Sequence, residues 1–179
     1  MWSELVRFKS KSANVPVRCL SNFALLSVTV DGSEYPTGEH AFHGCNIRFC
    51  ATNARTPARL DALRERADMF INPSKLNTGL DAKRAGGKSK TYGFKLEPSE
   101  LYGWDIEAER VQESICRYKL KHYEEVRQVL KANKSKLLLH QDNRAKSDTI
   151  WVGRVKPIAK VEKTKTITID DIIGQINLD

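Results

Sequence analysis

The chain has 179 residues, 40% of them hydrophobic, which suffices for one domain with a core of its own. No apolar run approaches the roughly 18 residues of a membrane helix, and residues 1–17 alternate apolar and charged positions unlike a signal peptide, so a soluble, cytoplasmic protein is expected. Four cysteines (Cys19, Cys45, Cys50, Cys116) are too few for a disulfide scaffold and are expected as thiols, while a formal charge of +8 leans towards polyanionic partners.

In chain order, the β-branched run from Ser27 to Val30 meets the turn pair Asp31-Gly32, and Tyr35 resumes an extended segment, which predicts a hairpin. Pro36-Thr37-Gly38-Glu39 then turns the chain into a helix, with Thr37 as N-cap and Glu39 in the first turn, where the helix dipole favours a carboxylate. Thr56-Pro57 starts a second helix whose apolar stripe (Leu60, Leu63, Ala67, Phe70) runs until Asn72-Pro73. Asp105 opens the strongest helical signal: Ala108, Val111, Ile115, Tyr118, His122, Val126 and Val129 recur at intervals of three and four. One amphipathic helix, or two in succession, is predicted to about Ala132. Residues 167–169 read as a short strand entering a last helical turn at 170–176. With no repeat and no low-complexity stretch, a single compact domain over 1–179 is expected, mainly α with a small β element (α+β).

Two stretches carry the excess charge: Lys83, Arg84, Lys88, Lys90 and Lys95, and the segment 154–165 with Arg154, Lys156, Lys160, Lys163 and Lys165. Each reads either as a solvated basic surface or as a face for nucleic acid or a phosphorylated nucleotide. His40, His43, Cys45 and Cys50 have the form H-x2-H-x-C-x4-C, but Cys45 lies about 160° round a helix from His43, so a tetrahedral zinc set would need the helix to break. The alternative is a carboxylate and a histidine lining a pocket while Phe42 and the thiols pack inside. Trp104 and Trp151 are core residues or, near loop ends, faces on which a base stacks. Walker and dinucleotide-binding motifs are absent, and the stretch from Asp81 to Lys88 is the one that could cradle a phosphate.

Taken in order, these pieces resemble the NADAR/YbiA-like family along almost the whole chain. Arg7-Phe8 and Leu20-Ser21-Asn22-Phe23-Ala24 look like its opening aromatic pair and L-S-N-F segment. Asp31-Gly32 followed by Tyr35-Pro36-Thr37-Gly38-Glu39-His40-Ala41-Phe42 is similar to its v-D-G…y-P-T-x-E-H-x-F signature, the most specific match. The segment from Ala82 to Gly86 looks like A-K-x-L-G, Trp104 falls where the family has a tryptophan before its long helix, and Lys119-Leu120 resembles its K-F pair. Leu137 to His140, Asp148 to Gly153 and, faintly, Asp171 to Gly174 are similar to its closing motifs. The chain departs from the pattern at Gly87 (usually arginine), at Leu139 (usually glutamate) and at Val152, which separates Trp151 from its glycine. A lysine-rich stretch replaces the glycine-rich loop before the last helix.

The resemblance implies a mainly helical fold and hydrolysis of N-glycosidic bonds between an exocyclic amine and ribose C1. The substrate would be guanine-linked ADP-ribose in nucleic acid, or a phosphoribosylamino pyrimidine intermediate of riboflavin synthesis. On this reading Glu39 is the general acid/base and Asp148 the second carboxylate flanking the sugar. Lys83 is either a Schiff-base nucleophile on the opened ribose or a phosphate ligand. Trp104 and Trp151 stack on the base, Asn22 orients ribose or base, and Phe23, His40, Arg84, Gly86 and Lys119 complete the substrate-binding set. No metal or diffusible cofactor is required. The expected partners are ADP-ribosylated nucleic acid or a phosphoribosylated small molecule, with the ADP-ribosyltransferase that installs the group as a further one. A non-catalytic binder of ADP-ribose or nucleic acid is the rival in a different class.

Overall fold

The computed structural model describes residues 5–8, 11–86, 94–133, 137–140 and 149–150. In order these form β1 (Leu5–Phe8), a short 3₁₀ helix (Pro16–Leu20), β2 (Val28–Val30), β3 (Ser33–Tyr35), α1 (Gly38–Thr52), α2 (Pro57–Asp68), α3 (Gly79–Gly86), α4 (Trp104–His122), α5 (Glu124–Ala132), β4 (Leu137–His140) and β5 (Thr149–Ile150). The described chain is mainly helical with small β elements, as its residue pattern implies. The candidate strand at 167–169, the turn at 170–176 and the basic segment 154–165 lie outside the described residues.

The predicted hairpin forms as β2 against antiparallel β3, Val28 opposite Tyr35, with the turn built on Asp31 (φ 49°) and Gly32 (φ 75°). The second sheet is not legible as periodicity. In it β1 pairs parallel to β4, Leu5 opposite Leu137, and β4 pairs antiparallel to β5. A parallel pair needs a crossover, and here every helix lies between its two strands.

Helix α1 is the axis of the packing. It meets α2, α3 and α4 on different sides, and ten of its fifteen residues are buried. Small residues permit this: a Cβ added at Gly44 would lie 2.7 Å from the Tyr35 ring and 3.0 Å from Phe70 Cβ. Round α1 the core contains Val28, Tyr35, Ile47, Leu63, Phe70 and Leu76, with Val111 and Ile115 from α4. A smaller cluster joins the 3₁₀ helix (Val17, Leu20) to α5 (Val126, Val129).

One local expectation is corrected. The second helix ends at Asp68 rather than at Asn72-Pro73, because Met69 and Phe70 take the tighter i→i−3 bonds to Arg66 and Ala67, which turns Phe70 into the core. The candidate phosphate cradle is helical from Asp81 to Gly86, and residues 87 and 88 lie outside the described residues. Thr78 and Asp81 exchange side-chain and backbone hydrogen bonds (Thr78 N to Asp81 Oδ2 3.1 Å, Asp81 N to Thr78 Oγ1 3.2 Å), a capping box that starts α3. The long helical signal resolves into two helices. Tyr123 is extended (φ −119°, ψ 114°), and the Arg127 guanidinium donates to the carbonyls of Leu120 and Lys121 that α4 leaves open at its end.

Candidate active site at the start of the central helix

Thr37 caps α1 in the predicted way, its hydroxyl accepting from His40 N at 3.3 Å. The same hydroxyl donates to His40 Nδ1 at 2.8 Å, and His40 Nε2 donates to the Leu76 carbonyl at 3.0 Å, an arrangement that selects one neutral tautomer. Burial is also the main reason the His40 imidazole titrates below its ordinary range. His40, expected in the substrate-binding set, is 0% exposed with both nitrogens engaged, and it ties the cap to the turn before α3.

Glu39 sits one residue earlier, on the side of α1 that faces the segment 19–23 and α3. Its N–H donates to the Asn22 carbonyl at 2.9 Å. The Asn22 amide exchanges hydrogen bonds with Gln112 of α4 (2.8 and 3.3 Å), and a Cβ at Gly38 would come within 2.8 Å of Asn22 Oδ1, so loop and helix start are in van der Waals contact. Helix α3 closes the other side. A Cβ at Gly79 would meet Phe23 Cα at 3.2 Å and Glu39 Cβ at 3.5 Å, and one turn on, Lys83 Nζ lies 5.4 Å from the Phe23 ring centroid. Asn22 and Phe23 are half-buried, whereas Lys83 and its neighbour Arg84 are exposed. The glycine at 86 has a packing reason, since a Cβ there would stand 2.3 Å from Cγ of His43.

Lys119 and Trp104 stand behind this arrangement. Lys119 is 3% exposed and donates to the carbonyls of Cys19 (3.1 Å) and Ser21 (2.7 Å), so it anchors the loop that carries Asn22 and Phe23. Desolvation of the ammonium pulls its pKa down to about 8. The Trp104 indole is 8% exposed, edge-on to Phe42 at 5.6 Å and tilted against Phe49 at 5.7 Å. It packs in the core and joins α4 to α1. Asp148 and Trp151 lie outside the described residues.

The sequence reading therefore finds Asn22, Phe23, Glu39, Lys83 and Gly86 in one neighbourhood. It misses His43 and Gln112. His43 Nε2 lies 3.3 Å from Glu39 Oε1, with side-chain exposures of 15% and 12%. The i,i+4 spacing of the two is a legible signal, whereas nothing in the sequence marks Gln112. The zinc alternative finds no geometry: Cys45 Sγ faces the Tyr35 hydroxyl at 3.7 Å, Cys50 faces Asn46, and among the described residues no three His, Cys, Asp or Glu side chains converge. A groove of about 450 Å³ lined by Arg48, Ala51, Leu60, Arg64 and Ala67 lies along the other half of α1, and none of the expected site residues lines it.

No described helix is long and apolar enough to cross a membrane. No family model matches the chain, and no curated protein matches it in sequence. Among solved structures it is similar to the NMR structure of the E. coli protein YbiA, at 22% identity over 80% of this chain and 70% of that one, with a TM-score of 0.50. The architecture of α1 to α5 with its small sheets is thus a YbiA-like fold.

Proposed function

We propose that this protein is an N-glycosidase that hydrolyses the bond between an exocyclic amine of a base and ribose C1, removing ADP-ribose from guanine in nucleic acid. The observation that carries the reading is Glu39. Its carboxyl is largely buried, with 12% of the side chain exposed, at a helix start between a loop bearing an amide and an aromatic ring and a helix bearing two exposed cations. The YbiA-like fold and the motif from Tyr35 to Phe42 support it.

In this mechanism Glu39 gives its proton to the ribose ring oxygen or the departing amine and then takes one from the water that adds to C1. Asp148, assigned on sequence alone, holds the ribose hydroxyls or steadies the developing oxocarbenium charge. Asn22 presents its amide to the sugar or base, Phe23 offers a ring face, and Lys83 and Arg84 meet the phosphates. Lys83 serves instead as a nucleophile if the ribose ring opens to an imine at C1: its amine adds to C1, the exocyclic amine leaves with a proton, and water then hydrolyses the lysine imine. An ADP-ribosyltransferase acting on guanine would supply the substrate.

The test is to incubate the protein with an oligonucleotide carrying ADP-ribosyl guanine and to measure free ADP-ribose. Glu39→Gln is expected to lower turnover by about 10² to 10⁴ while binding is retained. Release at a rate near that of the parent protein would remove Glu39 from the chemistry. Borohydride under turnover should leave an adduct on Lys83 if it is the nucleophile, and none if it binds phosphate. A steep fall of affinity with salt fits nucleic acid, whereas a shallow one favours a free phosphoribosylamino pyrimidine. Retention without release would make the protein a binder.

A further inference from the structure

We infer that His43 is the positioning residue of Glu39, holding Oε1 so that the second carboxylate oxygen is the one presented to substrate; the inference rests on the glycosidase reading for its consequence but not for its geometry. The two residues share a face of α1, one turn apart, and Nε2 reaches Oε1 at 3.3 Å. Among the described residues no side-chain or backbone donor is hydrogen-bonded to this carboxylate, and the imidazole is the group paired with it.

The ring is itself confined on three sides. Helix α3 presses its backbone against it at Gly86, where an added Cβ would lie 2.3 Å from Cγ and 2.4 Å from Nδ1. Phe42 meets it edge-on with centroids 5.6 Å apart, and the Phe70 ring stands at 6.4 Å. An imidazole gripped in this way loses little further entropy on bonding the carboxylate, and preorganisation of this kind keeps a proton-transfer group at reacting distance. Gly86 is thereby part of the device. It is the only residue type that lets α3 close on the ring without driving it off Glu39.

Two measurements test this. The first needs no turnover: the imidazole ¹H–¹⁵N signals of His43 should move by several ppm in nitrogen when Glu39 is replaced by Gln, while those of His122, stacked on Tyr118 at 4.1 Å on α4, stay in place. The second compares His43→Gln, whose amide can donate from nearly the position of Nε2, with His43→Leu. Turnover should stay within about 3-fold of the parent in the first and fall by about 10- to 100-fold in the second, with KM little changed in both, and Gly86→Ala should behave like His43→Leu. An unmoved His43 signal, or a His43→Leu protein as active as the parent with an unaltered far-ultraviolet spectrum, overturns the inference. If the parent protein releases nothing from either substrate, the glycosidase reading fails, and the nitrogen signals alone decide whether His43 holds Glu39.

Discussion

Lys119→Met isolates a buried ammonium whose energetic signature is set by burial. Nζ has two neutral carbonyl acceptors, and the thiols of Cys116 and Cys19 are the only groups of opposite potential charge acting on it. Between the ordinary 10.5 and about 8, at about 1.4 kcal/mol for each pH unit, the charged form is disfavoured on folding by roughly 3 kcal/mol. The folded value is the lower one. From about pH 8 to 10.5 the unfolded chain therefore holds a proton that the folded chain has released, and unfolding free energy rises with pH across that window. Below pH 8 the penalty is present in full, offset by two hydrogen bonds from a cation worth about 1.5 to 3 kcal/mol each. Methionine has similar length and neither charge nor donor. The stability of the parent minus that of Lys119→Met should thus increase by about 2 to 3 kcal/mol between pH 7 and pH 10. The subtraction removes the opposing alkaline loss from Cys50, whose thiol burial pushes up to about 12. Urea unfolding followed by circular dichroism would register the change as a midpoint difference growing by about 1 M. A difference that stays flat, or shrinks as the pH rises, refutes the argument that this amine is held desolvated behind the loop 19–23.

Two further outcomes follow from the same framework. Thr37→Ala removes the cap of α1 and the Nδ1 partner of His40 together, and should cost about 1 to 2 kcal/mol, read as a fall in Tm of about 3 to 6 °C, with Thr37→Ser close to the parent. Glu100, almost fully buried, accepts two bonds from Arg59 (2.7 and 2.9 Å) and one from Glu97 N (2.8 Å), and the guanidinium is the main reason its carboxyl titrates below the usual range. Its contribution is present above the ordinary value of 4.5 and is lost as pH falls through the depressed one. Glu100→Gln should accordingly cost about 1 to 3 kcal/mol at pH 7 and progressively less as the pH falls below 4.5, in denaturant titrations across that range.

What the sequence by itself determined is the set of features whose causes lie within a few residues. The Asp31-Gly32 hairpin, the Thr37 and Thr56 caps, Glu39 in a first turn and the heptad-like stripe from Ala108 to Val129 arise from turn chemistry, orphan N–H groups and helical periodicity, all of which act locally. Even there the fine outcome was tertiary: Phe70 leaves its helix early because the core, not its propensity, claims the ring. The resemblance pointed to Asn22, Phe23, Glu39 and Lys83, which the fold brings into one neighbourhood, but gave no sign of how deeply each would be buried. His40, Trp104 and Lys119 have the chemistry of binding residues and are used as struts, because burial and existing partners decide what a side chain is free to do. The pairing of β1 with β4 and the grip of Gly86 on His43 were decided by the tertiary structure alone. Each joins segments separated by a whole crossover or by an intervening helix, and a contact of that kind is set by what α1 must bury on all its sides rather than by any pattern in the residues that make it.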